Sequence, residues 1–167
     1  MIHTARLLLR PVVETDFPEI YRLMSDAEVM KHIRPASDDP EPVRARMADW
    51  ARYSRENPGL GVFLAEWKED GAFAGYVVAR HVDFDPTSGE YEVGYTLAPE
   101  HWGRGLATEI TRALTDYLFG RFQPEYVVAF TAEENLASQN VLLKAGFADA
   151  GMRDVYGGSR EFRLYSH

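Results

Sequence analysis

The sequence contains no cysteine, and no apolar run in it approaches the roughly 20 residues that a membrane-spanning helix needs. Without a thiol, the chain has no cysteine nucleophile, no disulfide framework and no cysteine-ligated zinc. The five histidines are scattered and show no paired ligand spacing, so no metal site is predicted. Residues 1–6 also lack the basic and apolar regions of a secretory signal. These absences predict a protein with no membrane partner and a cytoplasmic location.

The sequence also has fewer basic than acidic residues. The chain has 18 Lys and Arg residues against 26 Asp and Glu residues, which gives a formal net charge of -8. Proteins that bind nucleic acid gain affinity by neutralising many phosphates, so nucleic acid is not predicted as a partner. An acidic surface raises the local concentration of amines, which mildly favours a cationic substrate.

The length of 167 residues and the absence of a repeat or linker predict one domain, residues 1–167. Apolar periodicity and turn residues predict an α/β (α+β) fold with a mixed sheet, because a helix separates the strands at 90–97 and 126–130 and so indicates a parallel crossover. The other predicted strands are 7–9 (ended by Pro11), 61–67, 73–81, 147–152 and 160–165, and the predicted helices are 17–24, 26–32, 43–54, one from about 105, and 136–144.

The first candidate motif is the stretch Trp102-Gly103-Arg104-Gly105-Leu106-Ala107, where a strand gives way to a helix. A helix start offers unpaired backbone N–H groups and a partial positive charge, and small residues let a diphosphate approach the backbone. The glycine spacing fits neither a P-loop nor a dinucleotide fingerprint. The alternative interpretation is a tight turn shaped by the two glycines alone.

Two further groups of residues are candidates for chemistry. Residues 135–147 begin with Asn135-x-x-Ser138 and end with Lys-x-Gly-Phe, although an asparagine cap, a helix and a glycine stop explain the same residues. Glu92 lies on the strand just before the loop at 102–107, with Glu90 as a weaker candidate. Partial burial of a carboxylate there would raise its pKa towards the range of a general base, so Glu92 is either such a base or an ordinary surface carboxylate.

Taken in order, these motifs resemble the GNAT superfamily of N-acetyltransferases. Gly105 and Ala107 occupy the small positions of its acyl-CoA signature, with Trp102 where Gln or Arg is usual. The Trp-Gly-x-Gly variant resembles the branch of ribosomal-protein N-terminal (alanine) acetyltransferases. The residues from Asn135 to Phe147 are similar to the later motif of the family.

The resemblance implies a GNAT-like single domain whose mixed central sheet has a splayed parallel strand pair flanked by helices, with acetyl-CoA as the acyl donor. It implies Glu92 as the base or amine-orienting residue, and, because relatives are often dimers, a possible homodimer. The residues that it implies for the donor are Leu97, Trp102, Gly103, Arg104, Gly105, Leu106, Ala107, Thr108, Asn135 and Ser138.

The chain departs from the family at one position. Many relatives have a tyrosine general acid seven residues after the asparagine, where this chain has Leu142. Ser138 is the predicted replacement, because a hydroxyl near the cofactor sulfur could pass a proton to the thiolate, although a first-turn serine also satisfies backbone groups.

The predicted reaction is direct attack of a primary amine, on a protein N-terminus or a small molecule, through a tetrahedral intermediate without an acyl-enzyme. One alternative is an acyl-CoA-binding protein that has lost turnover. A second is an interaction domain that uses its acidic surface and does not bind coenzyme A at all.

Overall fold

A computed structural model describes residues 1–167, and its eight strands form one mixed sheet in the order β1-β2-β3-β4-β5-β6-β8-β7. The strands are β1 Ile2–His3, β2 Leu7–Pro11, β3 Gly61–Trp67, β4 Phe73–His81, β5 Tyr91–Leu97, β6 Tyr126–Thr131, β7 Ala148–Arg153 and β8 Ser159–Tyr165. The helices are α1 Phe17–Met24, α2 Ala27–Met30, α3 Pro40–Glu56, α4 Leu106–Phe122 and α5 Leu136–Lys144, with 3-10 turns at Glu14–Asp16, Val82–Phe84, Pro86–Ser88 and Pro99–His101.

The sheet has a hydrophobic core on each face, and β3 shows how the sequence builds both. Val62 and Leu64 point into the core formed with α1, α2 and α3, whereas Phe63 and Ala65 point into the core formed with α4 and α5. Successive side chains of a strand alternate between faces, so a fully apolar strand serves two helical layers. The sheet is therefore covered on both sides.

Helix α4 packs an apolar stripe into the larger of the two cores. Leu106, Ile110, Leu114 and Leu118 recur at helical spacing, and each is at most 1% exposed. Burial of one such side chain contributes about 1.5–3 kcal/mol, so these contacts fix the position of the helix start against the sheet. No helix combines the length and apolarity that crossing a membrane would require.

The parallel pair β5 and β6 separates soon after it forms. Its register contains only Tyr91 opposite Val127 and Glu92 opposite Val128, although β5 continues to Leu97 and β6 to Thr131. Beyond Glu92 the facing strand edges diverge and open a cleft in the middle of the sheet. The mixed sheet with a splayed parallel pair, flanked by helices, is thereby confirmed.

The N-terminal region differs in detail from the pattern-based expectation. The two-residue strand β1 is too short to leave a periodic signal in the sequence. Asp16 is the N-cap residue of α1, but its side chain makes no capping hydrogen bond; its carboxylate accepts hydrogen bonds from Val13 N at 2.8 Å and from the Arg10 guanidinium at 2.8 and 2.9 Å. The side chain joins β2 to the turn before α1 because arginine is the stronger partner for a partly buried carboxylate.

Candidate active site

The loop before α4 presents a set of free backbone donors. Gly103 and Gly105 have φ of +71° and +76°, a left-handed conformation that costs glycine little. Gly105 is the N-cap of α4 and has no side chain to cap it, and the N–H groups of residues 103–108 find no acceptor in the protein. Unpaired donors at a helix start attract anions, so the loop fits a pyrophosphate.

Contacts from the opposite side hold this loop in place. The indole Nε1 of Trp102 donates to the Leu97 carbonyl at 2.9 Å, which ties the loop to the end of β5. The carbonyl of Arg104 accepts from Arg6 Nη2 at 3.0 Å. Leu106 is buried in the core, so its side chain anchors the helix. Trp102, Arg104 and Leu106 thus support the loop through side-chain or carbonyl contacts, and the free N–H groups remain available.

A carboxylate lies unusually close to this anion site. Glu109, in the first turn of α4, would repel a phosphate if its charge were unpaired. Its carboxylate instead accepts hydrogen bonds from Thr4 Oγ1 at 2.5 Å, Arg6 N at 2.7 Å and Arg6 Nε at 2.8 Å. The N-terminal segment therefore offsets the charge of Glu109 and keeps the helix start favourable for an anion.

The start of α5 brings a serine and a tyrosine together. Asn135 Oδ1 accepts a hydrogen bond from Ser138 N at 3.2 Å, so Asn135 caps the helix. The Ser138 hydroxyl lies 3.1 Å from the Tyr95 hydroxyl, across the cleft from α5 to β5. Leu142 is 3% exposed and packs in the core. The site thus has a phenol, but it belongs to Tyr95 on β5 and not to the residue at position 142.

Tyr95 is a functional candidate that the sequence pattern did not single out. Its ring packs against the core on the same face of β5 as Val93 and Leu97, but its hydroxyl extends beyond that core. Burial raises the pKa of Tyr95 above its ordinary value, while the hydrogen bond with Ser138 partly offsets this. Tyr95 therefore keeps its proton at neutral pH. The missing family tyrosine was the one signal that another phenol was needed.

Glu92 is buried on the other side of the cleft and has two polar neighbours. It is 6% exposed, lies 3.4 Å from Arg80 Nε and accepts a hydrogen bond from the Tyr156 hydroxyl. Arg80 packs with its guanidinium carbon 4.0 Å from the centre of the Phe84 ring. Burial and the charge of Glu92 raise the pKa of Tyr156. Neither Arg80 nor Tyr156 had a local motif that would identify it.

Glu90, the weaker carboxylate candidate, is engaged elsewhere. Arg153 Nη2 donates to its Oε2 at 2.5 Å, and the Tyr126 hydroxyl donates to its Oε1 at 3.0 Å. These partners lie on the sheet outside the cleft, and Glu90 does not line the cavity described next. Its pKa is lowered chiefly by the Arg153 hydrogen bonds, so it serves an ion pair.

One continuous cavity of about 300 Å³ joins the two sides of the cleft. Ser138, Tyr95 and Thr131 line it together with Glu92 and Arg80. Thr131 Oγ1 is buried without a hydrogen-bond partner in the protein, so it is free to bond a polar group of a ligand. A larger cavity of about 390 Å³ between α1 and α3 contains none of the predicted site residues.

The splayed sheet, the cavity at the splay and the free N–H groups at a helix start fit a protein that binds an acyl-coenzyme A thioester. A family model described as "Acetyltransferase (GNAT) domain" matches residues 6–148. The chain therefore belongs to the GNAT family of acetyltransferases, with acetyl-CoA as the acyl donor, as its motifs predicted.

Relatives and solved structures agree with this family. The chain is 26% identical over 161 residues to the "Uncharacterized N-acetyltransferase YoaA" of Bacillus subtilis, covering 93% of this chain and 87% of YoaA. Its fold is similar to that of the acetyltransferase that modifies the N-terminal serine of ribosomal protein L7/L12 from Salmonella typhimurium (TM-score 0.79, 17% identity, 98% and 97% of the chains). It is also similar to spermidine N-acetyltransferase from Vibrio cholerae, solved with CoA and spermine (TM-score 0.78, 17% identity, 96% and 96% of the chains).

Proposed function

We propose that this acetyltransferase transfers the acetyl group of acetyl-CoA directly to a primary amine. The observation that carries the proposal is the single cavity, which brings the donor side at Ser138 and Tyr95 into the same space as Glu92. Two substrates held in one cavity can react without a covalent enzyme intermediate. The Ser138 hydroxyl has a phenol beside it and not a histidine, so the usual activation of a serine nucleophile is missing.

In this proposal, different segments of the chain bind the pyrophosphate, the pantetheine arm and the thioester of the donor. The N–H groups of residues 103–108 bind the pyrophosphate, and the diverging edges of β5 up to Leu97 and of β6 flank the pantetheine arm. Asn135 and Thr131 lie along the same path, and Thr131 has a hydroxyl in need of a partner. The donor supplies the activated acetyl group, and the protein supplies position and hydrogen bonds.

Glu92 serves the incoming amine in the proposed reaction. Its carboxylate faces the cavity, and the Arg80 guanidinium at 3.4 Å balances part of its charge. We assign Glu92 the role of orienting the amine by accepting a hydrogen bond and of taking up its proton during the attack. Tyr156 holds the carboxylate in that orientation by donating to it.

The pair of Tyr95 and Ser138 handles the leaving thiolate. Both hydroxyls line the cavity, and burial raises the pKa of Tyr95, so this phenol is protonated and can donate a hydrogen bond to the leaving thiolate. We assign the two hydroxyls to hydrogen-bond the thiolate and to supply its proton, with Tyr95 as the ultimate donor. This role replaces the tyrosine that the family has where Leu142 stands.

The test is thiol release from acetyl-CoA with a panel of primary amines. Tyr95→Phe is expected to lower kcat by about tenfold to hundredfold while leaving the Kd for acetyl-CoA unchanged, because only a proton donor is lost. Tyr117→Phe is the matched control, since that phenol donates to the Gly59 carbonyl at 2.8 Å away from the cavity. Equal effects of the two variants contradict the acid assignment. Binding of acetyl-CoA without release on any amine favours a non-catalytic acyl-CoA-binding protein.

A further inference from the structure

The part of the cavity beyond Glu92 is unusually rich in positive charge. Arg34, Arg46 and Arg80 line it, and Glu92 is the sole carboxylate among the lining residues. The charge of Arg80 is offset by Glu92, whose Oε2 lies 3.4 Å from Arg80 Nε. Arg34 and Arg46 then leave an excess of positive charge inside a protein whose net charge is -8.

Arg34 and Arg46, which we call the arginine pair, have no acidic partner. Arg46 lies on α3 and is half-buried, and Arg34 follows α2 and is more exposed. Arg44 and Arg52 of α3 pair with carboxylates on their own helix, at 3.8 Å from Glu41 and 2.9 Å from Asp49, and the unpaired Arg55 lines a different cavity. Both arginines of α2–α3 that line the cleft cavity are therefore unpaired.

Arg34 is in the same cavity as two other positive charges, those of Arg46 and Arg80. The pKa of Arg34 is lowered by its partial burial and by the positive charges of Arg46 and Arg80. Arginine remains protonated in proteins, so the repulsion cannot be relieved by loss of a proton. An anion placed between the two groups would relieve it and form charge-assisted hydrogen bonds.

We propose that the acceptor is a primary amine that also carries a carboxylate, and that the arginine pair binds this carboxylate while Glu92 receives the amine. This inference rests on the proposed function and narrows its acceptor. Trp50 and Tyr76 line the same part of the cavity and provide apolar contact for the body of the acceptor. A polyamine such as the spermine solved with the Vibrio cholerae relative would meet like charge here.

The test compares acceptors in matched pairs in which one member carries a negative charge that the other lacks. L-Phenylalanine is paired with its amide, and a peptide amide with aspartate as its second residue is paired with its asparagine analogue. Spermidine serves as the polycation. For the wild type we expect kcat/KM to be at least about tenfold higher on the acid of one pair, since a charge-assisted bond is lost in the neutral form. A preference for the acid in the phenylalanine pair indicates a free amino acid as the acceptor, and a preference in the peptide pair indicates a peptide N-terminus.

The variants Arg46→Gln and Arg34→Gln are expected to lower kcat/KM on the preferred acid by about tenfold to hundredfold and to leave the neutral analogue unchanged. Arg46→Lys should recover part of the loss. Arg52→Gln, which removes an exposed charge from the same helix, should leave both acceptors unchanged. Comparison of each variant with the wild type on the same acceptor cancels the intrinsic reactivity of that amine.

The proposal would be overturned by faster turnover of the amides or of spermidine than of the acids. It would also be overturned if the arginine variants lost equal activity on both acceptors of a matched pair. A raised KM for acetyl-CoA in these variants would assign the arginine pair to the donor. Calorimetry with the CoA complex measures acceptor binding without turnover. If no amine releases thiol but the acid still binds tightly through Arg46, the acceptor inference stands and the proposed catalysis fails. If neither member of any pair binds, the acceptor inference fails.

Discussion

Removal of a single backbone N–H from the loop before α4 tests the phosphate site without altering any charge. Ala107 is the second residue of α4, and its N–H has no acceptor in the protein. Proline at this position removes the donor while keeping a helical φ, and Pro18 already occupies the second position of α1. Ala107→Pro should therefore cost less than about 1 kcal/mol of stability.

Binding of the donor should suffer far more than stability. A hydrogen bond to a charged group contributes about 1.5–3 kcal/mol, so its loss corresponds to a Kd for CoA that is raised roughly 10- to 150-fold. Isothermal calorimetry measures the Kd, and thermal unfolding measures the stability in parallel. Ala27→Pro, at the exposed first position of α2, is the matched control and should leave the Kd unchanged.

A truncated donor locates the effect. Acetyl-pantetheine has the thioester but no pyrophosphate, so Ala107→Pro should leave turnover of acetyl-pantetheine at the wild-type level. An unchanged Kd for CoA in a folded Ala107→Pro protein would refute the assignment of the loop to the pyrophosphate. An equal loss with acetyl-pantetheine would show that the variant disturbs the cleft and not the phosphate site.

Three further outcomes are expected. Burial alone would raise the pKa of Asp16, but hydrogen bonds from Arg10 and from a backbone N–H lower it below the value in the unfolded chain. The contribution of this ion pair to the free energy of unfolding is therefore complete above about pH 4, the unfolded pKa, and is lost as the pH falls through the lower folded pKa. Asp16→Asn should cost about 1–3 kcal/mol at pH 7 and flatten the decline of Tm between about pH 5 and 2, and parallel Tm curves would contradict this. Glu92→Gln should lower kcat and alter the acidic limb of the pH-rate profile, and an unchanged profile would remove its role as base. Trp102→Phe should raise the KM for acetyl-CoA a few-fold because the bond to Leu97 is lost, and steady-state kinetics check this against an unchanged kcat.

The layered fold follows closely from local sequence patterns. The helical spacing of Leu106, Ile110, Leu114 and Leu118 is enough to identify the buried stripe of α4, and the alternation along β5 is enough to identify the side chains that face it. Both patterns are set by neighbours in the chain. The order of the last strands is different: β8 lies between β6 and β7, and this depends on contacts far apart in sequence.

The site was predictable only where its residues lie in one motif. The loop at 102–108 is a continuous segment, so its residues identify it. Arg80, Tyr156 and the hydroxyl of Tyr95 reach the cavity from separate elements, and no local spacing relates them to Glu92 or Ser138. The net charge also described the surface as a whole, and it predicted a cationic substrate that the arginines of the cavity do not favour.

Because β5 and β6 pair over only two residues each, the sheet consists of two parts with a short connection between them. Strands β1 to β5 form one antiparallel block and β6 to β8 another, and between strands they are joined directly only around Tyr91 and Glu92. A pantetheine arm lying between the diverging edges would brace this connection and fix the distance between Glu92 and Ser138. The donor would then be a structural part of the acceptor cavity, and we expect ordered kinetics in which acetyl-CoA binds first.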